Sequence, residues 1–357
     1  MFFYLLIFLL ASVLFFFSNK NNFIPLLIFF IVFVSIVGFR DMIGGFDVYI
    51  YGEVYEADII QILNFKSFES GFKIYFLLLK KVSNDRYFMF FVSSFIITFL
   101  HFRLLKKLSP ILFFSIFIYF CKFFLMSFVY IRQGLAMGIV WYALVFIDKK
   151  YIRFFMLIIT SFFIHKTAIL FAPVYFISKL KIRSITIAYS VAIALLISTT
   201  ALSSFFFGFL DDSANNEKFS KYLATTSTVN FFYLFEILLL IVLIFKFKNK
   251  FYTSDKGTLI LNGMLGYAFI SILSLTNATF VRFTWYYLIF ILLGLPYIYQ
   301  FIAVRSQKRQ FKFAVYLYYS LLFFRLLILY DDGDFLPYKS IFNDFDRHGR
   351  WEFMEYR

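Results

Sequence analysis

The sequence is poor in charge, proline, glycine and cysteine, and each shortage removes a class of protein. Charged residues make up only 15% of the chain while hydrophobic residues reach 62%. Soluble domains run at about 25% charged and about 45–50% apolar, so a water-soluble globule of this length could not hide the apolar surface present. Disordered chains need low hydrophobicity. Collagen needs glycine at every third position, and the chain has 14 glycines and 5 prolines. The single Cys121 permits no internal disulfide and no cysteine-built metal site. There is no phosphate-cradling glycine loop, no GxSxG element and no zinc-ligand spacing, so nucleotide-driven transport and serine hydrolysis have no support.

What is present is aromatic and aliphatic: 60 Phe and 26 Tyr in 357 residues. The class that accommodates this is an all-α polytopic membrane protein, because a helix of about 20 apolar residues spans a bilayer. The apolar runs predict helices at 2–17, 23–39, 87–102, 110–127, 131–147, 184–204, 230–246, 258–275, 284–303 and 313–329. The first lacks a basic leader and a small-residue cleavage site and is read as a helix rather than a signal peptide. Two segments do not fit as simple spans. Residues 152–178 carry His165-Lys166 in their middle and read as two short helices meeting at His165. Residues 68–82 contain Lys73, Lys80 and Lys81 and read as an amphipathic, interfacial or re-entrant helix.

The net charge of +15 invites a nucleic-acid reading, but its distribution argues otherwise. Clusters at Lys20, Arg103–Lys107, Lys149–Arg153, Lys179–Arg183, Lys246–Lys256 and Arg305–Lys312 hold 18 Lys+Arg against Asp148 and Asp255. Placed on one face they give +16, and everything else gives −1. That asymmetry is the positive-inside pattern, and it makes the clusters cytoplasmic. Both termini, the loops at about 40–67 and 204–229 and the tail 330–357 then lie outside, in one polytopic domain covering residues 1–357. No nucleic-acid partner is expected, and the chemistry belongs in the membrane or at its outer face.

Four cationic positions fall at one depth by this topology: Arg40, Arg132, His165 and Arg282. Arg132-Gln133 opens a helix continued by Gly134, Ala136 and Gly138, small residues that let helices approach closely. His165 with Lys166 makes a cationic spot suited to phosphate, and arginine forks match phosphate oxygens. An acidic loop with Arg40, Asp41, Asp47, Glu53, Glu56 and Asp58 contains Gly44-Gly45, which permits a tight turn. Its alternating Tyr49, Tyr51 and Tyr55 suggest a sugar-facing surface, and an exposed carboxylate there could act as general base on an acceptor hydroxyl. The cavity these residues describe suits a pyrophosphate whose departure is stabilised electrostatically, with no metal and no cofactor expected.

The pieces FRDMIGGFDVYIY, FESGFKIYFLLLKKV, IRQGLAMGIV, FFIHKTAILFAPVYF, ATFVRFTWYY and FLPYKSIF occur in this order along nearly the whole chain. As an ordered set they resemble the EpsG/Wzy group of bacterial polysaccharide polymerases. The resemblance implies a membrane glycosyltransferase fold shared with O-antigen ligases. It also implies the joining of undecaprenyl-pyrophosphate-linked oligosaccharides at the outer, periplasmic face of the inner membrane, as in O-antigen, lipopolysaccharide, capsule or exopolysaccharide synthesis. Partners implied are the lipid-linked donor and acceptor, membrane lipids and a chain-length regulator. By matching motif, Arg40 and Asp47 correspond to an early Arg/Asp loop and Glu69 to the acid opening the amphipathic segment. Arg132-Gln133 corresponds to the RQ pair, His165 to the histidine, Arg282 to the late arginine, and Tyr338-Lys339 to the C-terminal PYK stretch. In this reading His165, Asp47 or Glu69 activates the acceptor. Arg40, Arg132, Gln133, Lys166, Arg282, Tyr338 and Lys339 contact substrate or pyrophosphate. Phe46 departs from the family pattern, which has a small polar residue beside the Asp. The rival readings are an O-antigen ligase or lipid-phosphate-sugar glycosyltransferase and, from another class, a lipid-linked glycan transporter. No internal repeat of the kind transporters carry is visible.

Overall fold

The computed structural model describes residues 1–17, 22–148, 150–200, 202, 231–276, 278–329, 331 and 334–342. It is all helical: α1 (Phe2–Phe17), α2 (Phe23–Gly38), α3 (Phe46–Glu56), α4 (Ile59–Asn64), α5 (Ser70–Lys80), α6 (Arg86–Leu108), α7 (Leu112–Phe123), α8 (Met126–Val129), α9 (Ile131–Ala143), α10 (Tyr151–Ile164), α11 (Pro173–Ile177), α12 (Ser184–Ser198), α13 (Phe231–Phe251), α14 (Asp255–Leu273), α15 (Leu288–Phe301) and α16 (Arg305–Leu329). Tight 3₁₀ segments run over Lys166–Phe171 and Ala278–Tyr287. Among the described residues the only β pairing is a single antiparallel bridge between Arg40 and Ser340. Hydrocarbon offers no hydrogen-bond partners, so a spanning segment must satisfy its backbone internally, and helices do this. Among the described residues, four helical stretches are long and apolar enough to cross a bilayer by themselves: Arg86–Leu108, Asp255–Leu273, Phe280–Phe301 and Arg305–Leu329. The chain is a polytopic membrane protein.

Several helices outrun the expected spans. α6 continues to Leu108, α13 to Phe251, and α16 starts at Arg305. Hydropathy marks only the apolar part of a helix, whereas Lys, Arg and Gln are good helix formers and carry it on into the polar interface. The expected helix at 110–127 is broken between α7 and α8, and α12 ends at Ser198. The loop 204–229 and the tail beyond residue 342 lie outside the described residues.

By packing the chain forms two compact units. The first comprises Met1–Tyr142, Phe163–His165 and Arg309–Arg357. Its interior is aromatic: Phe8 stacks on Phe323 at 5.7 Å and Phe29 on Phe102 at 6.0 Å. α9 presses on α6 through glycines, since a Cβ at Gly138 would meet the Leu100 side chain at 3.0 Å and one at Gly134 would meet Ile97 at 3.1 Å. Basic side chains mark one end of this unit. Lys312 donates to the Phe16 carbonyl at 3.3 Å, and Lys106 lies 5.0 Å from the Phe23 ring centre. The far end of α1 points the other way: Tyr4 donates to the carbonyl of Phe335 at 2.8 Å.

The second unit comprises Ala143–Phe162 and Lys166–Lys308. Here α10 and the arm containing α11 lie side by side, with Phe154 and Tyr175 ring centres 5.6 Å apart and Lys179 within 3.9 Å of Asp148. The expected return at His165 is therefore present, and both ends of the hairpin come back to the same place. At 14 residues α10 is about 21 Å long, short of the ~30 Å hydrocarbon core. The same end gathers further basic clusters: Lys248 donates to Ser184 Oγ at 2.6 Å and Lys250 to the Phe301 carbonyl at 2.7 Å. α14 and α15 meet where Gly263 accepts the Phe290 ring, and a Cβ at position 263 would fall 2.1 Å from that ring. Gly263→Val is expected to destabilise the protein by about 1–3 kcal/mol, the usual cost of overpacking. Thermal unfolding in detergent checks this, and an unchanged Tm rejects the close packing.

Candidate functional site

The first unit brings together three elements that are remote in sequence. α5 begins after Glu69, which occupies the N-cap position with extended backbone (φ −69°, ψ 152°) but forms no side-chain cap hydrogen bond. Ser, Thr, Asp and Asn are the usual N-caps because their short side chains reach the helix amides. Glu69 instead directs its carboxylate outward. Oε2 accepts from Arg132 Nη1 at 2.8 Å, and Oε1 pairs with His165 Nδ1 at 2.9 Å. The hairpin tip is pressed against the start of α5, since a Cβ on Gly71 would fall 2.6 Å from the Phe163 carbonyl oxygen.

Arg132 is anchored along one edge. Nη1 also donates to the Ser67 carbonyl at 2.6 Å, and Nε donates to the Tyr51 hydroxyl at 3.2 Å. Its guanidinium lies 4.8 Å from the Phe68 ring centre. Nη2 makes no hydrogen bond among the described residues. The side chains of Arg132, Glu69 and His165 remain 20%, 12% and 15% exposed, so the cluster is accessible to a ligand. With Nδ1–H donating to the carboxylate, the neutral His165 ring carries its lone pair on Nε2. The arrangement offers a base, a carboxylate that orients it, and a guanidinium edge suited to an anion.

α3 supplies the wall. The expected sugar-facing row of Tyr49, Tyr51 and Tyr55 is corrected: all three are buried. The segment is a helix rather than an extended loop, so residues two apart diverge in direction instead of sharing a face. Tyr55 donates to the Ser83 carbonyl at 2.6 Å. Burial pushes the Tyr51 phenol up, Arg132 pulls it back, and Asp47, one turn earlier, adds to the rise. Asp47 thus belongs to the electrostatic surroundings of the cluster. At the far end of α3, burial opposes the charge on Glu56. Hydrogen bonds and charge from Arg86 outweigh that opposition and hold its carboxyl below the usual range.

Arg40 is wholly buried. Nη1 donates to the Val37 carbonyl at 2.6 Å and Nη2 to the Phe128 carbonyl at 2.7 Å, while Nε has no hydrogen-bond partner among the described residues. The guanidinium lies 4.4 Å from the Phe90 ring centre. Burial pushes its pKa down to about 9, so it stays protonated at neutral pH. Around it the backbone turns through Gly44 (φ 119°) and Gly45 (φ 77°), left-handed conformations that glycine adopts without strain. The C-terminal stretch docks on this loop. Asp41 N donates to the Lys339 carbonyl, Gly44 N to that of Asp334, and Ile341 N to that of Phe39, each at 3.0 Å. Tyr338 donates to the Ile36 carbonyl at 2.8 Å. Burial pushes the Tyr338 phenol up to about 12, against the pull of Arg40. Two pieces singled out separately in the sequence, Arg40 and Tyr338-Lys339, therefore form one clasp. Gln133 is buried beside Arg132. Lys166 and Arg282 belong to the second unit, where the Arg282 guanidinium lies 5.5 Å from the Phe283 ring centre. Among the described residues no group of three His, Cys, Asp or Glu is placed to hold a metal ion.

The model of the EpsG family matches residues 23–340, from α2 through the docked C-terminal stretch. The chain belongs to the EpsG family. No curated protein and no solved structure matches it. The EpsG family is a Wzy-like group of polysaccharide polymerases, which gives this chain a polysaccharide polymerase role in general terms.

Sequence reasoning overlooked His101. In this EpsG protein it is fully buried, with Nδ1 2.8 Å from the Tyr119 hydroxyl and Nε2 3.1 Å from the Gly134 carbonyl. An ionisable residue in an apolar helix was the available signal. The chain has three histidines, which makes the His165 tautomer measurable. In ¹⁵N-histidine NMR of the protein in bilayers, the resonances missing from His165→Gln are expected to report a protonated Nδ1 in the wild type. That preference should disappear in Glu69→Ala. A wild-type His165 protonated only at Nε2 rejects the orienting role of Glu69.

Proposed function

We propose that this EpsG protein is a glycosyltransferase that lengthens polysaccharide by joining repeat units carried on a lipid pyrophosphate. By family resemblance the carrier is undecaprenyl pyrophosphate, and the reaction takes place at the outer, periplasmic face of a bacterial inner membrane. The observation that carries the reading is the Glu69 carboxylate shared between His165 and Arg132. His165 Nε2 accepts the proton of an acceptor sugar hydroxyl. The hydroxyl oxygen bonds to the anomeric carbon of the donor glycan, and the bond from that carbon to the pyrophosphate oxygen breaks. The electron pair leaves on the pyrophosphate, whose growing charge is met by Arg132 Nη2. Donors placed where charge develops are worth most in a water-poor site.

Asp47 contributes charge near Tyr51 and Arg132. Arg40, Gln133, Tyr338 and Lys339 are assigned to positioning: Arg40 has both terminal nitrogens engaged with carbonyls, and its contact with Phe128 lies one turn before Arg132. Lys166 and Arg282 are assigned to the donor on the family resemblance alone. The outward orientation is supported by the first unit, where the basic side chains mark the end opposite the Tyr4–Phe335 contact.

Purified protein mixed with lipid-pyrophosphate-linked repeat units, without nucleotide, is expected to produce a ladder of longer glycans. His165→Ala should lower the rate by about 10²–10⁴-fold, the usual contribution of a general base. Arg132→Ala should lower it by about 10²–10³-fold, as for loss of one charge-stabilising donor. Arg282→Ala should also shorten the products while the protein still reaches the membrane. Glycan that crosses the bilayer unchanged in size would replace the polymerase reading with transport. A ladder abolished by chelator would end the metal-free version of the mechanism.

A further inference from the structure

The second unit contains a half-open cavity of about 340 Å³ between the hairpin arm, α12 and α14. Its walls include Leu170, Pro173, Ile187, Val191, Leu265 and Leu273. Three side chains in the wall carry polar groups, and each is already hydrogen-bonded. Ser190 donates to the Thr186 carbonyl at 2.8 Å and Tyr287 to the Leu170 carbonyl at 2.9 Å. Asn262 donates to the carbonyls of Ile177 at 2.6 Å and Leu180 at 2.7 Å, and its oxygen accepts from Tyr252 at 3.3 Å. A polar ligand would lose its hydration and gain little, whereas a hydrocarbon chain would leave no polar group unsatisfied. The cavity wall includes Phe269, which is exposed like Tyr189 and Ile193 of α12, apolar residues that face lipid in a spanning unit. It is thus continuous with the surface that hydrocarbon already covers.

The groove has a direction. From Asn262 to Leu273 it follows about 16 Å of α14 at ~1.5 Å per residue. One end lies near Ile182, at the end of the unit where Lys248 and Lys250 are bonded. The other lies at Leu273: the arm's Ile177 bonds Asn262 and its Leu170 bonds Tyr287 beside Gly266, so Lys166, about 8 Å of 3₁₀ helix from Leu170, lies toward that end. A chain lying in the groove would therefore have one end toward Lys166 and the other toward Lys179, Lys248 and Lys250, and the outer-face reading of the donor puts its phosphate at the Lys166 end and its tail toward the basic clusters.

We infer that this groove holds the isoprenoid tail of the lipid-linked substrate, with the phosphate end toward Lys166. The inference rests on the polymerase reading for the identity of the lipid, and the test separates the two. The full-length protein in nanodiscs is labelled with a polyprenyl phosphate bearing a diazirine in its tail, and the adducts are mapped by mass spectrometry. Adducts are expected on residues 166–177, 184–191 and 262–273, and undecaprenyl phosphate should remove them while phosphatidylglycerol does not. Val191→Trp and the milder Leu265→Phe, which narrow the groove, should each cut labelling several-fold. They should raise the KM for lipid-linked donor with kcat little changed. Equal competition by phosphatidylglycerol, adducts elsewhere, or an unchanged KM in a folded groove variant would overturn the inference. If wild-type protein makes no ladder yet the label enters the groove and only undecaprenyl phosphate removes it, the polymerase reading falls and the groove stands. If the ladder forms and the label maps elsewhere, the groove falls alone.

Discussion

A carboxylate has two oxygens, and in this protein the two oxygens of Glu69 serve different partners. One holds Arg132 at the start of α9 and the other holds His165 at the tip of a hairpin. The three residues come from an amphipathic helix, a packed inner helix and a hairpin tip, so a single acidic side chain fixes three elements against one another. Partial exposure matters as much as the pairing. A fully buried triad would be structural, whereas a solvated one would be too loose to orient an imidazole. The charges here are desolvated enough to attract strongly and open enough to meet a ligand.

Much of the fold was legible because lipid imposes a simple rule on the backbone. Apolar runs had to be helices, and most boundaries fell within a few residues. The larger errors have physical causes. The polar first turns of α16 are invisible to hydropathy but continue a good helix. The acidic segment at 46–56 looked extended because tyrosine alternates with carboxylate, yet it forms α3 and buries its tyrosines. The hairpin at His165 was legible for a different reason: a single span would have separated two basic clusters that the positive-inside pattern groups together.

The site was only partly legible. Arg132, Glu69 and His165 could each be singled out, but the carboxylate linking them depends on how α5 lies on the hairpin, which no local pattern encodes. Arg40 shows the opposite limit. Its chemistry suggested an anion site, whereas both terminal nitrogens of its fork are engaged with carbonyls. A guanidinium in a sequence announces capacity for five hydrogen bonds and says nothing about which are already taken.

The clasp between Phe39–Gly45 and Asp334–Ile341 has a consequence for how the protein is made. The loop leaves the ribosome early, after α2, and its partner follows every described helix. Until then the amides of Asp41 and Gly44 and the carbonyl of Phe39 lack these partners, although Arg40 beneath them can already reach Val37, Phe90 and Phe128. The order of synthesis therefore leaves the glycine turn unfinished while the helices enter the bilayer, and the last described segment of the chain completes it.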